Sequence, residues 1–399
     1  IALMYDADVQ FFDCMTSLGI IPANHVDSKV ARITHEMKLF APRWSNDAKH
    51  IFVQRDYGAY SQIFLLNIKT GKLSQITHAP LNIENYALSP NGEKLVWVGS
   101  NAHGAQFLQV AQSDGSRVED LLVVSGAPDD MTLSEVREIS WQTIDYPEKM
   151  RGLLVMPANY QPGKRYPLIV EIHGGGIGAH IYLASGMLQR SPLEWQMWAA
   201  KGYAVFVPEF RSSASFGSLA ITRDALKEHD TLGADLKDIE SGVDALIAEG
   251  IVDSKRLAIF GHSAGGNRAN WFAATTHRYR AIISKEGWAD DYISALKSPV
   301  SERLKEFFGG TPQEVPENYL KNSALHHAKG ATTPTLFLMG DPKLGGADPD
   351  DTVKMFYDAL KAQGVDSELV RYDEGHVFVK DENCKDVLQR TIKWLEKYM

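Results

Sequence analysis

A serine between two glycines is the residue of this chain best suited to nucleophilic chemistry. Ser263 is the central residue of a pentapeptide, GHSAG at 261–265, that has the form G-x-S-x-G. The pentapeptide lies between a predicted strand at 256–260 and a helix-like segment that begins at Asn267. Glycines two residues before and after the serine permit a sharp strand-to-helix turn that exposes the hydroxyl. The pattern predicts a nucleophile elbow in which Ser263 attacks a carbonyl carbon.

A glycine-rich segment earlier in the chain is suited to stabilising negative charge. His173, Gly174 and Gly175 directly follow residues 168–172, an apolar run typical of a buried strand. Glycines allow backbone N–H groups to approach a substrate carbonyl closely. We therefore expect an oxyanion hole formed by these three residues together with the backbone N–H of Ala264.

A hydroxyl nucleophile also needs a general base, and one histidine has the right place in the chain. Where a G-x-S-x-G serine is used, the chain order is serine, acid, histidine. His376 is the only histidine late enough to satisfy that order, and it follows the predicted strand at 368–372. His376 is therefore the predicted base.

The acid that orients the histidine has two candidates. Asp341 and Asp348 both follow residues 335–339, which have the pattern of a buried strand. Asp348 begins the sequence Asp-Pro-Asp-Asp-Thr, which is typical of a helix start and gives this residue a structural role. Asp341 leaves the strand end immediately and is the preferred candidate, with Asp348 as the alternative. A third interpretation is that no acid occupies the usual place.

Composition argues against several other classes of function. The net charge of −9, without a basic stripe, argues against nucleic acid as a partner. No run approaches the 18 or more apolar residues of a membrane span. The two cysteines, Cys14 and Cys384, cannot form a multi-cysteine metal site, and the remaining histidines lack metal-ligand spacing. Because serine and histidine supply their own chemistry, we expect no metal and no other cofactor.

The elements that must position these residues are strands and helices that alternate after about residue 134. The predicted strands span residues 152–156, 168–172, 204–207, 257–260, 281–284, 335–339 and 368–372. The predicted helices span residues 193–201, 234–249, 267–274, 352–363 and 387–397. Such alternation implies an α/β fold for residues 134–399, with a doubly wound, mostly parallel sheet covered by helices.

Residues 41–127 show a different pattern. Ser45 and Ser89 lie 44 residues apart, and each begins a turn-rich stretch that leads into an apolar strand. A period of this length is typical of β-propeller blades. We predict a smaller all-β, propeller-like region with two visible repeats, too few to close a propeller; a small antiparallel sheet is the alternative. Residues 1–40 stay unassigned.

From about residue 134 onward the chain resembles the catalytic domain of the prolyl oligopeptidase family of serine peptidases. The matching stretches are residues 164–170 leading into 173–175, then 210–217, 252–257 and 308–312. The resemblance implies an α/β-hydrolase domain behind an N-terminal β-propeller. It also implies a peptidase that cleaves short peptides through an acyl-enzyme on Ser263, as an amino-, dipeptidyl- or acylaminoacyl-peptidase.

Departures from the family pattern keep two other functions open. The family's acid normally lies about three residues past the glycine that ends the strand, where this chain has Lys343. Asp341 is followed by proline, which is similar to the acid motif of hormone-sensitive-lipase-like esterases. Ala264 and Gly176 also differ from most relatives in the direction of carboxylesterases. The alternatives are therefore a carboxylesterase acting on small esters with the same residues, and a non-catalytic binding protein.

The sequence leaves three properties of the protein open. Its two cysteines do not distinguish the cytoplasm from the periplasm or the exterior of the cell. The chain begins at Ile1 without a methionine, so we expect that a preceding segment was removed or omitted. The third is the oligomeric state, and the sequence is compatible with a homo-oligomer.

Overall fold

The computed structural model describes residues 2–6, 16–20, 31–32, 39–126, 132–175, 192–213, 228–297, 302–348 and 351–399. The described residues form two compact units. One unit contains the described residues up to 133. The other contains most of the described residues from Ser134 onward.

The first unit is built from antiparallel sheets. A three-stranded sheet contains β1 (Ala2–Asp6), β2 (Thr16–Ile20) and β3 (Ala31–Arg32). A four-stranded sheet contains β4 (Phe40–Trp44), β5 (His50–Tyr57), β6 (Tyr60–Asn67) and β7 (Leu73–Gln75). A second four-stranded sheet contains β8 (Leu81–Leu88), β9 (Lys94–Asn101), β10 (Gln106–Gln112) and β11 (Glu119–Ser125). In each sheet the strands lie side by side in chain order.

The two four-stranded meanders are the two repeats expected from the sequence. In the first, the backbone N–H of Ser45 donates to His50 O at 3.0 Å, which closes the turn between β4 and β5. In the second, the backbone N–H of Ser89 donates to Lys94 O at 2.9 Å and closes the turn between β8 and β9. The 44-residue period therefore reflects the same turn in two successive sheets.

The second unit contains one eight-stranded sheet. Its strands are β12 (Val136–Gln142), β13 (Lys149–Val155), β14 (Tyr166–Ile172), β15 (Ala204–Glu209), β16 (Val252–His262), β17 (Ala281–Lys285), β18 (Thr335–Gly340) and β19 (Ser367–Tyr372). Their order is β12-β13-β15-β14-β16-β17-β18-β19. The strands from β15 to β19 in this order are parallel, whereas β12 and β13 form an antiparallel edge. The predicted α/β fold with a mostly parallel sheet is confirmed.

Helices accompany this sheet. They are α1 (Pro192–Ala200), α2 (Thr231–Ala248), α3 (Ala264–Thr275), α4 (Asp291–Lys297), α5 (Glu302–Phe308), α6 (Pro316–Lys321), α7 (Thr352–Ala362) and α8 (Asp381–Tyr398). The five predicted helices correspond to α1, α2, α3, α7 and α8. The short helices α4 to α6 were not predicted, because six or seven residues are too few to show a helical period.

The parallel arrangement brings the carboxyl ends of six strands to one edge of the sheet. Ligand sites in open α/β sheets lie at that edge. His173 follows β14, Ser263 follows β16, Asp341 follows β18, and His376 follows β19 by four residues. The fold therefore gathers the sequence candidates from distant parts of the chain. Among the described residues, no helix is long and apolar enough to cross a membrane.

Candidate active site

The serine turn joins the last residue of β16 to the first residue of α3. Ser263 has φ 59° and ψ −124°, a backbone conformation that non-glycine residues rarely adopt. A Cβ atom on Gly261 would lie 2.1 Å from Gly265 O, and one on Gly265 would lie 2.0 Å from Ile172 O. Both glycines are therefore required by the close approach of neighbouring backbone, and the tight turn holds the serine at the sheet edge.

The imidazole of His376 reaches this serine. Its Nε2 atom lies 2.9 Å from Ser263 Oγ, which is hydrogen-bonding distance. His376 belongs to the loop between β19 and α8. The ring of His262 packs against the His376 ring at 5.0 Å, and its Nε2 lies 3.3 Å from the carbonyl oxygen of His376. The base is thus contacted by Ser263 at Nε2 and by His262 at both its ring and its backbone carbonyl.

The acidic partner of His376 is Glu286, a residue that the sequence reasoning missed. Its Oε2 atom lies 3.2 Å from His376 Nδ1. Glu286 follows β17 directly, has φ 50°, and its side chain is fully buried. The carboxylate also accepts hydrogen bonds from the backbone N–H groups of Gly340 and, at 2.9 Å, Ala347. Glu286 therefore holds the imidazole and the loop after β18 at the same time.

The two aspartates expected to orient His376 have other partners, and this expectation is corrected. Among the described residues, Asp341 accepts a hydrogen bond from the backbone N–H of Lys343 at 2.8 Å and caps the 3-10 turn that follows. The buried Asp348 accepts from Thr352 N at 3.0 Å and Val353 N at 2.7 Å at the start of α7. Burial raises the pKa of Asp348, although these hydrogen bonds oppose the shift.

The path of the His376 loop explains why the Asp341 side chain does not contact the His376 imidazole. The backbone N–H of Asp341 donates to Glu374 O at 2.7 Å. A Cβ atom on Gly340 would lie only 2.4 Å from Gly375 O. The loop that carries the base therefore lies directly on the end of β18, and the imidazole extends past that strand toward β17 and β16.

A signal for Glu286 was present in the sequence. The residue comes two positions after the predicted strand at 281–284, and its place between Ser263 and His376 satisfies the required chain order. Which strand end faces the imidazole depends on strand order and loop path. Neither of these is readable from local patterns.

The predicted oxyanion segment runs past the serine. A Cβ atom on Gly174 would lie 2.9 Å from Ser263 Cβ, so only glycine fits there. Gly175 has φ 91°, and Ala264 begins α3, whose N-terminal N–H groups favour negative charge. The side chain of His173, in contrast, is buried and does not line an open site. Gly176 lies outside the described residues.

A buried ion pair stabilises α3, the helix that follows Ser263. Arg268 donates to Asp235 Oδ2 at 2.7 Å and to Ala264 O at 3.0 Å. Burial raises the pKa of Asp235, while the nearby Arg268 guanidinium acts in the opposite direction. The first turn of α3 is thereby fixed by a paired, hydrogen-bonded charge. Among the described residues, no group of acids, histidines and cysteines is arranged to hold a metal ion.

Comparisons with known proteins agree with this architecture. Residues 189–399 match the profile of the prolyl oligopeptidase family. The chain is 26% identical over 384 residues to the uncharacterized peptidase YuxL of Bacillus subtilis, covering 93% of this chain and 54% of that protein. It is 25% identical over 369 residues to dipeptidyl-peptidase 5 of Porphyromonas endodontalis, covering 86% and 48%. The chain thus spans about half the length of these relatives.

A solved structure shares the fold. The acylaminoacyl peptidase of Pyrococcus horikoshii superimposes with a TM-score of 0.79 at 21% identity. The superposition covers 99% of this chain and 60% of that one. At this identity the likeness concerns the fold, an α/β-hydrolase sheet with propeller-type strands before it.

Proposed function

Since the chain belongs to the prolyl oligopeptidase family, we propose that it is a serine peptidase that cleaves short peptides through an acyl-enzyme on Ser263. One observation carries the proposal. His376 lies 2.9 Å from the Ser263 hydroxyl through Nε2 and 3.2 Å from the buried Glu286 carboxylate through Nδ1. This is the arrangement of nucleophile, base and orienting acid that acyl transfer needs.

The steps follow from these positions. Ser263 Oγ attacks the carbonyl carbon of the scissile bond while His376 Nε2 takes the hydroxyl proton. The C–N bond then breaks, and His376 returns the proton to the leaving amine. Water attacks the acyl-enzyme ester by the same route and releases the second product. Backbone N–H groups of Gly175 and Ala264 are the proposed donors to the oxyanion.

Glu286 has the orienting role in this proposal. A carboxylate can only accept a hydrogen bond, so its contact keeps the proton of the neutral imidazole on Nδ1. The lone pair of Nε2 then faces the serine hydroxyl. Because Glu286 is also held by two backbone N–H groups, its position does not depend on substrate.

The names of the relatives suggest where such an enzyme would cut. They include dipeptidyl-peptidases and, among solved structures, an acylaminoacyl peptidase. We infer that the substrates are short peptides cleaved near a free or acylated N-terminus. An ester substrate is a second candidate, because Ala264 departs from the family in the direction of carboxylesterases.

Matched chromogenic substrates test the proposal. Aminoacyl, dipeptidyl and acylaminoacyl anilides are compared with a short-chain acyl ester of similar size, using wild type and Ser263→Ala. We expect the wild type to cleave at least one anilide, and the variant to lose at least 1,000-fold in kcat with an unchanged Tm. Cleavage of the ester alone would make the protein an esterase. Absence of both activities and of fluorophosphonate labelling would contradict the proposal and favour a non-catalytic binding protein.

A further inference from the structure

The buried imidazole of His173 contacts the backbone of the oxyanion segment. Its Nδ1 atom lies 3.0 Å from Gly174 O. The ring is only 3% exposed and stacks on Phe210, with centroids 4.6 Å apart and planes 7° from parallel. Its Nε2 atom lies 3.6 Å from a carboxylate oxygen of Glu209, which is fully buried. The ring is thus held by its stack on Phe210 and by the hydrogen bond at Nδ1, and both contacts are buried.

The strand order places this ring on the side of the segment opposite the serine. Glu209 ends β15 and Phe210 follows it, whereas Ser263 follows β16. The strand that precedes His173 is β14, which lies between β15 and β16 in the sheet. The His173 contacts therefore lie toward β15, and the nucleophile lies toward β16.

The hydrogen bond has a defined direction. A carbonyl oxygen can only accept, so His173 Nδ1 carries a proton and donates it to Gly174 O. In a planar trans peptide, the carbonyl oxygen of one residue and the N–H of the next point in opposite directions. Holding Gly174 O toward β15 turns the N–H of Gly175 toward β16, where Ser263 lies.

Glycine needs such a restraint here. Gly175 has φ 91°, and glycine passes between this conformation and others at little energetic cost. Gly174 offers no side chain that could fix the peptide plane between the two residues. Since an oxyanion donor acts only when it is already aimed at the developing charge, a freely rotating peptide would lose much of its effect.

We propose that His173 is a positioning residue that aims the backbone N–H of Gly175 at the oxyanion formed when Ser263 attacks its substrate. This rests on the proposed function above, because it assigns a role within that reaction. His173 touches neither substrate nor the reacting atoms. Its contribution passes through the Gly174–Gly175 peptide bond.

Two amide replacements separate the two ends of the ring. In His173→Asn the amide nitrogen takes the position of Nδ1 and can still donate to Gly174 O. In His173→Gln the amide nitrogen takes the position of Nε2 beside Glu209, so a polar group stays at that end of the ring while the donor to Gly174 O is lost. His173→Phe keeps the stack on Phe210 without any donor.

Removal of one oxyanion donor costs about 100- to 1,000-fold in kcat. We therefore expect a loss of roughly 100-fold for Gln and Phe, less than about 5-fold for Asn, and little change in KM.

A peptidyl boronate distinguishes positioning from a general structural role. The boronate forms a tetrahedral adduct with serine, so its Ki should rise in proportion to the loss of kcat/KM. The Ki of a product peptide, which carries no oxyanion, should stay within about 3-fold. Equal losses in Asn and Gln that follow their Tm values, or boronate Ki values unchanged in Gln and Phe, would overturn the proposal.

The proposal and the proposed function fail in different ways. An active wild type with wild-type activity in His173→Gln and His173→Phe would refute the role of His173 alone. A wild type that cleaves neither anilide nor ester would refute the proposed function. The rate of fluorophosphonate labelling then ranks the variants instead, since the attack on phosphorus also forms an oxyanion. If His173→Phe does not fold, the Asn and Gln pair decides.

Discussion

Two neighbouring loops at the carboxyl edge of the sheet both carry acids, yet among the residues that the structure describes only one of them presents a carboxylate to His376. The β17 loop, which begins at Glu286, sends one fully buried side chain to the imidazole. In the β18 loop, residues 341–348, Asp341 accepts from the backbone N–H of Lys343, and Asp348 accepts from backbone N–H groups at the start of α7. An acid is thus available to a triad only when local turns and caps do not already occupy it.

Glu286→Gln should cause the largest loss of catalytic activity. The amide cannot hold the imidazole in the same protonation and orientation, and loss of a triad acid costs about 10,000-fold in a serine protease. We expect kcat for the cleaved anilide to fall by about 1,000-fold or more. The matched control is Asp341→Asn, which should stay within about 3-fold. A larger loss of kcat in Asp341→Asn than in Glu286→Gln would show that the acid that orients His376 belongs to the β18 loop.

Gly340→Ala should have the next largest effect. The added Cβ would lie 2.4 Å from Gly375 O and 2.6 Å from Glu374 O, so the loop that carries His376 must move. We expect kcat to fall by roughly 10-fold or more, together with a lower Tm. Gly330→Ala is the control, because nothing lies within 4 Å of its added Cβ. Unchanged kinetics in Gly340→Ala would show that the loop does not depend on this close contact.

Asp348→Ala should affect stability without affecting catalysis. The change removes acceptors for two backbone N–H groups and the hydroxyl at the start of α7. Loss of such a cap costs about 2 kcal/mol in the free energy of unfolding. Thermal unfolding checks the loss, and kcat should stay within about 2-fold.

The control is Asp351→Ala, which breaks an exposed ion pair with Arg371 and should cost less than about 1 kcal/mol in the free energy of unfolding. A large loss of kcat in Asp348→Ala would contradict a purely structural role.

Asp291→Asn should have the smallest effect, and the effect should depend on pH. Burial raises the pKa of Asp291 from 3.8 to about 6. The folded protein then binds this proton more tightly than the unfolded chain, so stability falls as pH rises from about 4 to about 6. The amide carries no charge, so we expect the variant to match wild type near pH 4 and to exceed its Tm by roughly 3 °C at pH 7. A Tm difference that is constant from pH 4 to pH 8 would contradict this account.

The parts of this site that sequence could predict are those fixed by local geometry. A serine in a turn that admits only glycine at Gly261 and Gly265 is recognisable from five residues. His376 is recognisable from chain order, and the parallel sheet follows from the alternation of strands and helices. The acid and the role of His173 depend instead on which strands are neighbours, on the path of the His376 loop, and on contacts between β14 and β15. Such relations are not encoded in spacing along the chain.

The backbone of Ser263 has a further consequence for evolution and engineering. A non-glycine residue at φ 59° and ψ −124° holds about 1–3 kcal/mol of unfavourable conformational energy. Glycine at this position would relieve that energy and would also remove the nucleophile. The most stable sequence for this fold and the most active one therefore differ at residue 263. A selection for thermal stability alone would be expected to work against the hydroxyl on which the proposed chemistry depends.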